Sequence, residues 1–160
     1  MVSWSPSCAR SSWCVIEKGA GVNTPTFSSV QIGQALPELS LPVVDRTTLA
    51  LFAGASGDHN PIHIDIDFAR RAGMPDVFAQ GMLGMAWLAR LVTGWAPQAQ
   101  LRDFAVRFAG ITHLGHAITC SGCVAEKLQR DGENCVRLEI RTTNQYGETK
   151  IAGDAIVALL

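Results

Sequence analysis

Gly81-Met82-Leu83-Gly84-Met85-Ala86-Trp87-Leu88-Ala89-Arg90-Leu91-Val92-Thr93-Gly94-Trp95 is the stretch on which the fold turns. Met82, Leu83, Met85, Ala86, Trp87, Leu88, Ala89, Leu91 and Val92 leave it almost no polar face, and a helix that is apolar all round is a buried one. At 1.5 Å per residue it spans about 22 Å, too short to cross a bilayer but long enough to lie along a sheet. The spacing predicts a helix over 81–95 as the axis of the core.

Beyond this helix the apolar period changes to two. Phe104, Val106 and Phe108 alternate with Ala105, Arg107 and Ala109, and Val136, Leu138 and Ile140 alternate with Arg137, Glu139 and Arg141, the pattern of half-buried antiparallel strands. Asp131-Gly132 and Tyr146-Gly147 are turn signals between strands expected near 117–128, 134–144 and 148–158, which together read as a meander. On the other side, Ser40 to Val44 is a short strand candidate. Asp45 or Thr47 can then cap a helix through Leu49, Phe52 and Ala53 towards Gly54. Ser56 to Pro61 is turn chemistry, because Pro61 disfavours helix at Asn60. A short helix follows over 67–73, with Asp65 or Asp67 at its start and Gly73 in the C-cap position. Periodicity alone therefore gives an α+β chain, one buried central helix wrapped by an antiparallel sheet.

The 160 residues and their 48% hydrophobic content suit a single domain. Residues 1–25 are rich in Ser, Cys and Gly without a sustained period and read as an N-terminal extension, either disordered or a mistaken start, so the domain is expected over 26–160. A net charge of −1, with no long basic run, argues against a nucleic-acid surface. No apolar stretch reaches the roughly 18 residues of a membrane span, so no membrane role is expected. Five cysteines, two of them Cys8 and Cys14 in the extension, do not form a disulfide framework, and a cytoplasmic location fits. Cys120 and Cys123 form a C-x-x-C, but on a strand residues three apart face opposite ways, so both read as ordinary buried thiols.

The run Ala53-Gly54-Ala55-Ser56-Gly57-Asp58-His59-Asn60-Pro61-Ile62-His63-Ile64-Asp65 closely resembles the hydratase motif of the MaoC-like and (R)-specific enoyl-CoA hydratases. The resemblance continues, in order and at similar spacing, through Phe68-Ala69, Ala72-Gly73 and Gly81-Met82-Leu83, and covers most of the chain from about Phe27. It implies a hot-dog fold and reversible syn addition of water to a trans-2-enoyl thioester, giving an (R)-3-hydroxyacyl thioester. It also implies a hydro-lyase with no dissociable cofactor, with fatty acid metabolism, polyester precursor supply and dehydration of a branched hydroxyacyl-CoA all open as its setting. The acyl group would arrive as a coenzyme A or acyl-carrier-protein thioester. A homodimer with its acyl tunnel at the interface is implied, a heterodimer being the alternative.

Hydration needs a water made nucleophilic towards Cβ and a proton delivered to Cα, and a carboxylate and an imidazole sharing one water supply both. By resemblance these are Asp58 and His63. Five residues apart on an unbroken helix they would point about 140° apart, so the Asn60-Pro61 break is what lets them converge. A lone Asp or His would ordinarily be a turn cap or a satisfied polar side chain; the surrounding motif points to chemistry. The developing enolate needs a donor already aimed at it, and the backbone N–H of Gly81, opening the buried helix, is the candidate.

Asn60 is expected to orient the loop and Asp65 to cap the next helix. Gln80 stands where many relatives have His, and Ala89 where some have Ser. Trp87, Met85 and Leu88 read first as core, with acyl-chain lining as the alternative. His59, His113 and His116 read as exposed, and no spacing suggests a metal site. A hot-dog thioesterase and a non-catalytic acyl-thioester-binding subunit are the rival readings; His63 argues against the first and the intact pair against the second.

Overall fold

The computed structural model describes residues 24–160, so the expected extension lies outside the described residues up to residue 23. The chain runs β1 (Leu39–Ser40), α1 (Arg46–Ser56), a 3-10 turn (Pro61–His63), α2 (Ile66–Arg71), α3 (Gly81–Trp95), β2 (Leu101–Phe108), β3 (Ile118–Arg130), β4 (Glu133–Asn144) and β5 (Thr149–Ala158). One five-stranded antiparallel sheet has the order β1-β3-β4-β5-β2. The meander is β3 to β5, with Val124 opposite Leu138 and Leu138 opposite Ala155.

Alternation puts Ile118, Cys120 and Val124 of β3, Val136, Leu138 and Ile140 of β4, and Ile151, Ala155 and Val157 of β5 on one face, all buried. Onto it α3 lays Leu83, Trp87, Leu88, Leu91, Val92 and Trp95. The contact is close at Gly84, where a Cβ would stand 2.6 Å from Ile151 Cδ1. This is the hot-dog arrangement, a sheet wrapped about one long helix. Among the described residues no helix is long and apolar enough to cross a membrane.

Several local expectations need correction. The strand expected over Ser40 to Val44 pairs only at Leu39 and Ser40, because Pro42 has no N–H for the ladder. Leu41 and Val44 still donate to Ile118 and His116 carbonyls across the gap. Helix α1 continues past Gly54 to Ser56, and Gly57 ends it at φ 75°, donating its N–H to Ala53 O. Helix α2 begins at Ile66 and is capped by Asp65, with Ala72 at its C-cap and Gly73 beyond.

Helix α3 has the expected bounds but is not buried all round: Met82 is 54% exposed, Ala86 is exposed, and Met85 and Ala89 are half-buried. These four form a stripe that the sheet does not cover. Phe108, expected on a buried strand face, is 52% exposed. Of the two C-x-x-C thiols, both expected to be buried, Cys120 is in the core but Cys123 is only half-buried, because residues three apart on a strand face opposite ways. Burial pushes the Cys120 thiol up to about 11, which keeps it protonated and inert.

Candidate active site

The loop of Asp58 and His63 is set by the ends of two helices. Asp45 caps α1, accepting from the Thr48 N–H and hydroxyl at 2.7 Å each. Those bonds hold the Asp45 carboxyl below the usual range. Arg46 donates from Nη2 to both carboxylate oxygens of Asp76 at 2.7 and 2.8 Å, tying the start of α1 to the segment that leads into α3. Burial works to raise Asp76, but the Val77 N–H and Arg46 outweigh it and leave its carboxyl lowered.

After the left-handed turn at Gly57 the Asp58 N–H bonds to Ser56 Oγ at 3.2 Å, and Asp58 Oδ1 accepts from the Asn60 N–H at 3.3 Å. Asn60 Oδ1 then accepts from the Ile62 N–H at 3.1 Å, which starts the 3-10 turn at Pro61. Asn60 thus orients the loop as expected. Asp65 accepts from the Asp67 and Phe68 N–H groups at 2.8 and 3.1 Å and is spent on capping α2.

Asp58 is half-buried at the edge of an apolar groove of about 530 Å³. The uncovered stripe of α3 (Met82, Met85, Ala86, Ala89) forms one wall, and Phe52 of α1 with Leu101 and Phe104 of β2 completes it. Of the three helix residues considered as lining, Met85 is in the groove, whereas Trp87 and Leu88 are core. Leu101 and Phe104 carried no sequence signal for this role, because a strand's alternation does not say what its side chains face.

His63 is held from the segment before α3. Its Nδ1 lies 2.7 Å from Phe78 O, and its ring meets the Phe78 ring edge-on at 4.9 Å. A carbonyl only accepts, so Nδ1 carries the proton and, in the neutral ring, Nε2 is the basic nitrogen. Among the described residues no hydrogen bond joins His63 to Asp58, and Nε2 has no partner. The Phe78 carbonyl is a functional group that no sequence pattern could have named, since every residue carries one.

Two residues on, Gln80 is buried at the N-cap of α3 but makes no capping bond. Gly81 follows as the first helical residue, and first-turn N–H groups have no carbonyl within the helix to bond. A Cβ on Gly81 would come within 3.1 Å of the Phe108 ring. Gln80 and Gly81 line a second cleft of about 370 Å³ with Phe78, Phe108 and residues 109–112. The N-terminus of α3 therefore separates the groove holding Asp58 from this cleft.

Of the three other histidines, His59 is exposed as expected. His113 and His116 are instead half-buried and pack edge to face at 5.4 Å.

Comparison with known proteins agrees with this architecture. The chain is 25% identical over 143 residues to the mitochondrial 3-hydroxyacyl-(acyl-carrier-protein) dehydratase of Arabidopsis thaliana, covering 84% of each chain. It is 25% identical over 129 residues to the fatty acid synthase subunit beta of Saccharomyces cerevisiae, spanning 79% of this chain but only 6% of that one. The unliganded R-hydratase PhaJ1 from Pseudomonas aeruginosa superposes with a TM-score of 0.72 at 28% identity, over 84% of both chains. The MaoC-like domain matches residues 28–145, which takes in every described helix, the Asp58–His63 loop and strands β1 to β4. The chain belongs to the MaoC-like domain family.

Proposed function

We propose that this protein is a hydro-lyase that adds water reversibly across a trans-2-enoyl thioester to give an (R)-3-hydroxyacyl thioester. The hydrogen bond from His63 Nδ1 to Phe78 O carries the reading, because it leaves Nε2 as a fixed acceptor on the loop that also presents the Asp58 carboxylate. A water between two acceptors gives one O–H to each. As its oxygen bonds to Cβ, one of the pair takes the water's proton and the pair returns a proton to Cα on the same face. The negative charge that develops on the thioester oxygen is met by the Gly81 N–H at the start of α3, where the helix dipole favours it. The acyl chain occupies the apolar groove beside Asp58. The dehydratase and hydratase named among the relatives support the same chemistry.

The test is hydration of enoyl-CoA and dehydration of 3-hydroxyacyl-CoA by wild type, Asp58→Asn and His63→Ala over short, long and branched chains, repeated with acyl-carrier-protein thioesters. Each variant is expected to lose about 10²- to 10⁴-fold in kcat. The double variant should lose little more than the worse single one, because the two act as a unit. Release of thiol without hydration would replace this reading with a thioesterase, and wild-type inactivity across the panel would overturn it. The proposal includes a dimer, supported by β2 pairing on one side only and by the uncovered stripe of α3. Native mass measurement distinguishes a homodimer from a chain that needs a different partner.

A further inference from the structure

Gln80 is 1% exposed and is among the largest fully buried side chains of the molecule. At the N-cap of α3 a short polar side chain would normally bond back to the first-turn N–H groups. Gln80 does not; its Nε2 donates at 3.3 Å to the carbonyl of Leu49, on α1 and 31 residues away. The reversed amide would set two acceptors against each other, so the orientation is fixed by its partner. Leu49 lies in the interior of α1, where its carbonyl also faces the N–H four residues on, so the bond from Gln80 rescues no orphan. The other half of the amide fares worse, since Oε1 is buried and has no hydrogen-bond partner among the described residues. A buried acceptor without a donor is a cost that an apolar side chain of the same length would not incur. Stability alone therefore favours methionine here.

What the amide does instead is join two elements. Gln80 precedes Gly81, whose N–H faces the reacting carbonyl in the function proposed above, and Leu49 belongs to the helix that ends two residues before Asp58. Leu49 is joined to Asp58 through the continuous helix α1 and its Gly57 cap, so a shift at Leu49 carries along the helix towards Asp58. Resting on that function, we propose that Gln80 is a positioning residue: its bond to Leu49 O sets the placement of Asp58 relative to the Gly81 N–H. Catalytic geometry tolerates little error, and a displacement of about 1 Å can cost on the order of a hundredfold in rate.

The experiment compares wild type with Gln80→Met, which keeps the length but lacks the amide, and Gln80→His, whose ring N–H can again reach the carbonyl. The methionine variant is expected to keep or raise Tm and to hold KM within about twofold, while kcat falls by about tenfold or more. The histidine variant should recover part of that loss. Backbone hydrogen exchange, which needs no activity, should quicken over residues 53–58 in Gln80→Met and stay unchanged in β4. Wild-type kcat in an active Gln80→Met enzyme would overturn the positioning role and leave the proposed function standing. If wild type hydrates nothing, that function falls, and unchanged exchange over 53–58 would overturn the link from Gln80 as well.

Discussion

The β3–β5 meander and the segment Val77–Gly81 hold their polar groups in different ways. Along the meander every backbone bond has neighbours of the same kind, from Ile118 opposite Asn144 to Cys135 opposite Ala158. The segment before α3 has no ladder. It is fixed by single bonds to distant residues: His63 to Phe78 O, Gln80 to Leu49 O, and the Ala79 N–H to Thr112 O. Redundant bonding gives stability, whereas single bonds give placement. The two properties should therefore respond separately to substitution.

The separation breaks most visibly from the sheet side. Leu138→Ala removes a fully buried side chain facing α3 and should cost about 2–5 kcal/mol of unfolding free energy, read from denaturant midpoints. The kcat of the folded fraction should hold near wild type. A loss of kcat larger than the unfolded fraction explains would show that the meander also places the site.

The opposite case is the groove. Ala89→Phe fills part of it without touching the core, so Tm should stay within a few degrees while discrimination against the longer acyl chains rises by about tenfold or more in kcat/KM. An equal effect on all chain lengths would mean that the acyl group does not lie against Ala89.

The smallest effect is in pH. Burial, then the charges of Lys150 and His113, lower the His116 pKa, against a weaker pull from Glu148. A folded state that holds the imidazole neutral is favoured above the ordinary value of about 6.5, and that contribution is lost as pH falls below it. His116→Gln should therefore show a shallower decline in denaturant midpoint between about pH 6.5 and 5 than wild type. An unchanged slope would place the acid sensitivity elsewhere.

What could be read from the sequence follows the same division. The bounds of α3 and the order of the meander were legible because their apolar periods extend over many residues. Turn chemistry located the Asp58–His63 loop, and Asp65 declared its capping role by standing before a helix. The uncovered stripe of α3 was not legible, since Met82, Met85, Ala86 and Ala89 are as apolar as core residues and only the placement of the sheet tells them apart. In the sequence Gln80 stands out only as a departure from a family pattern. Nothing local announces that a polar residue beside a glycine is buried, or that its partner lies 31 positions earlier. At β1 the local signal is Pro42, which has no N–H to give the ladder.

The order of elements along the chain also bears on how the molecule is made. Helix α3 is complete at Trp95, but the last strand that contributes to its cover ends at Ala158. On a ribosome adding about 5–20 residues per second, the apolar helix waits several seconds before its sheet exists. Its exposed surface is then open to aggregation or to chaperone capture. Weakening β4 or β5 lengthens that exposure, so damage to the sheet should appear first as a lower yield of soluble protein during synthesis.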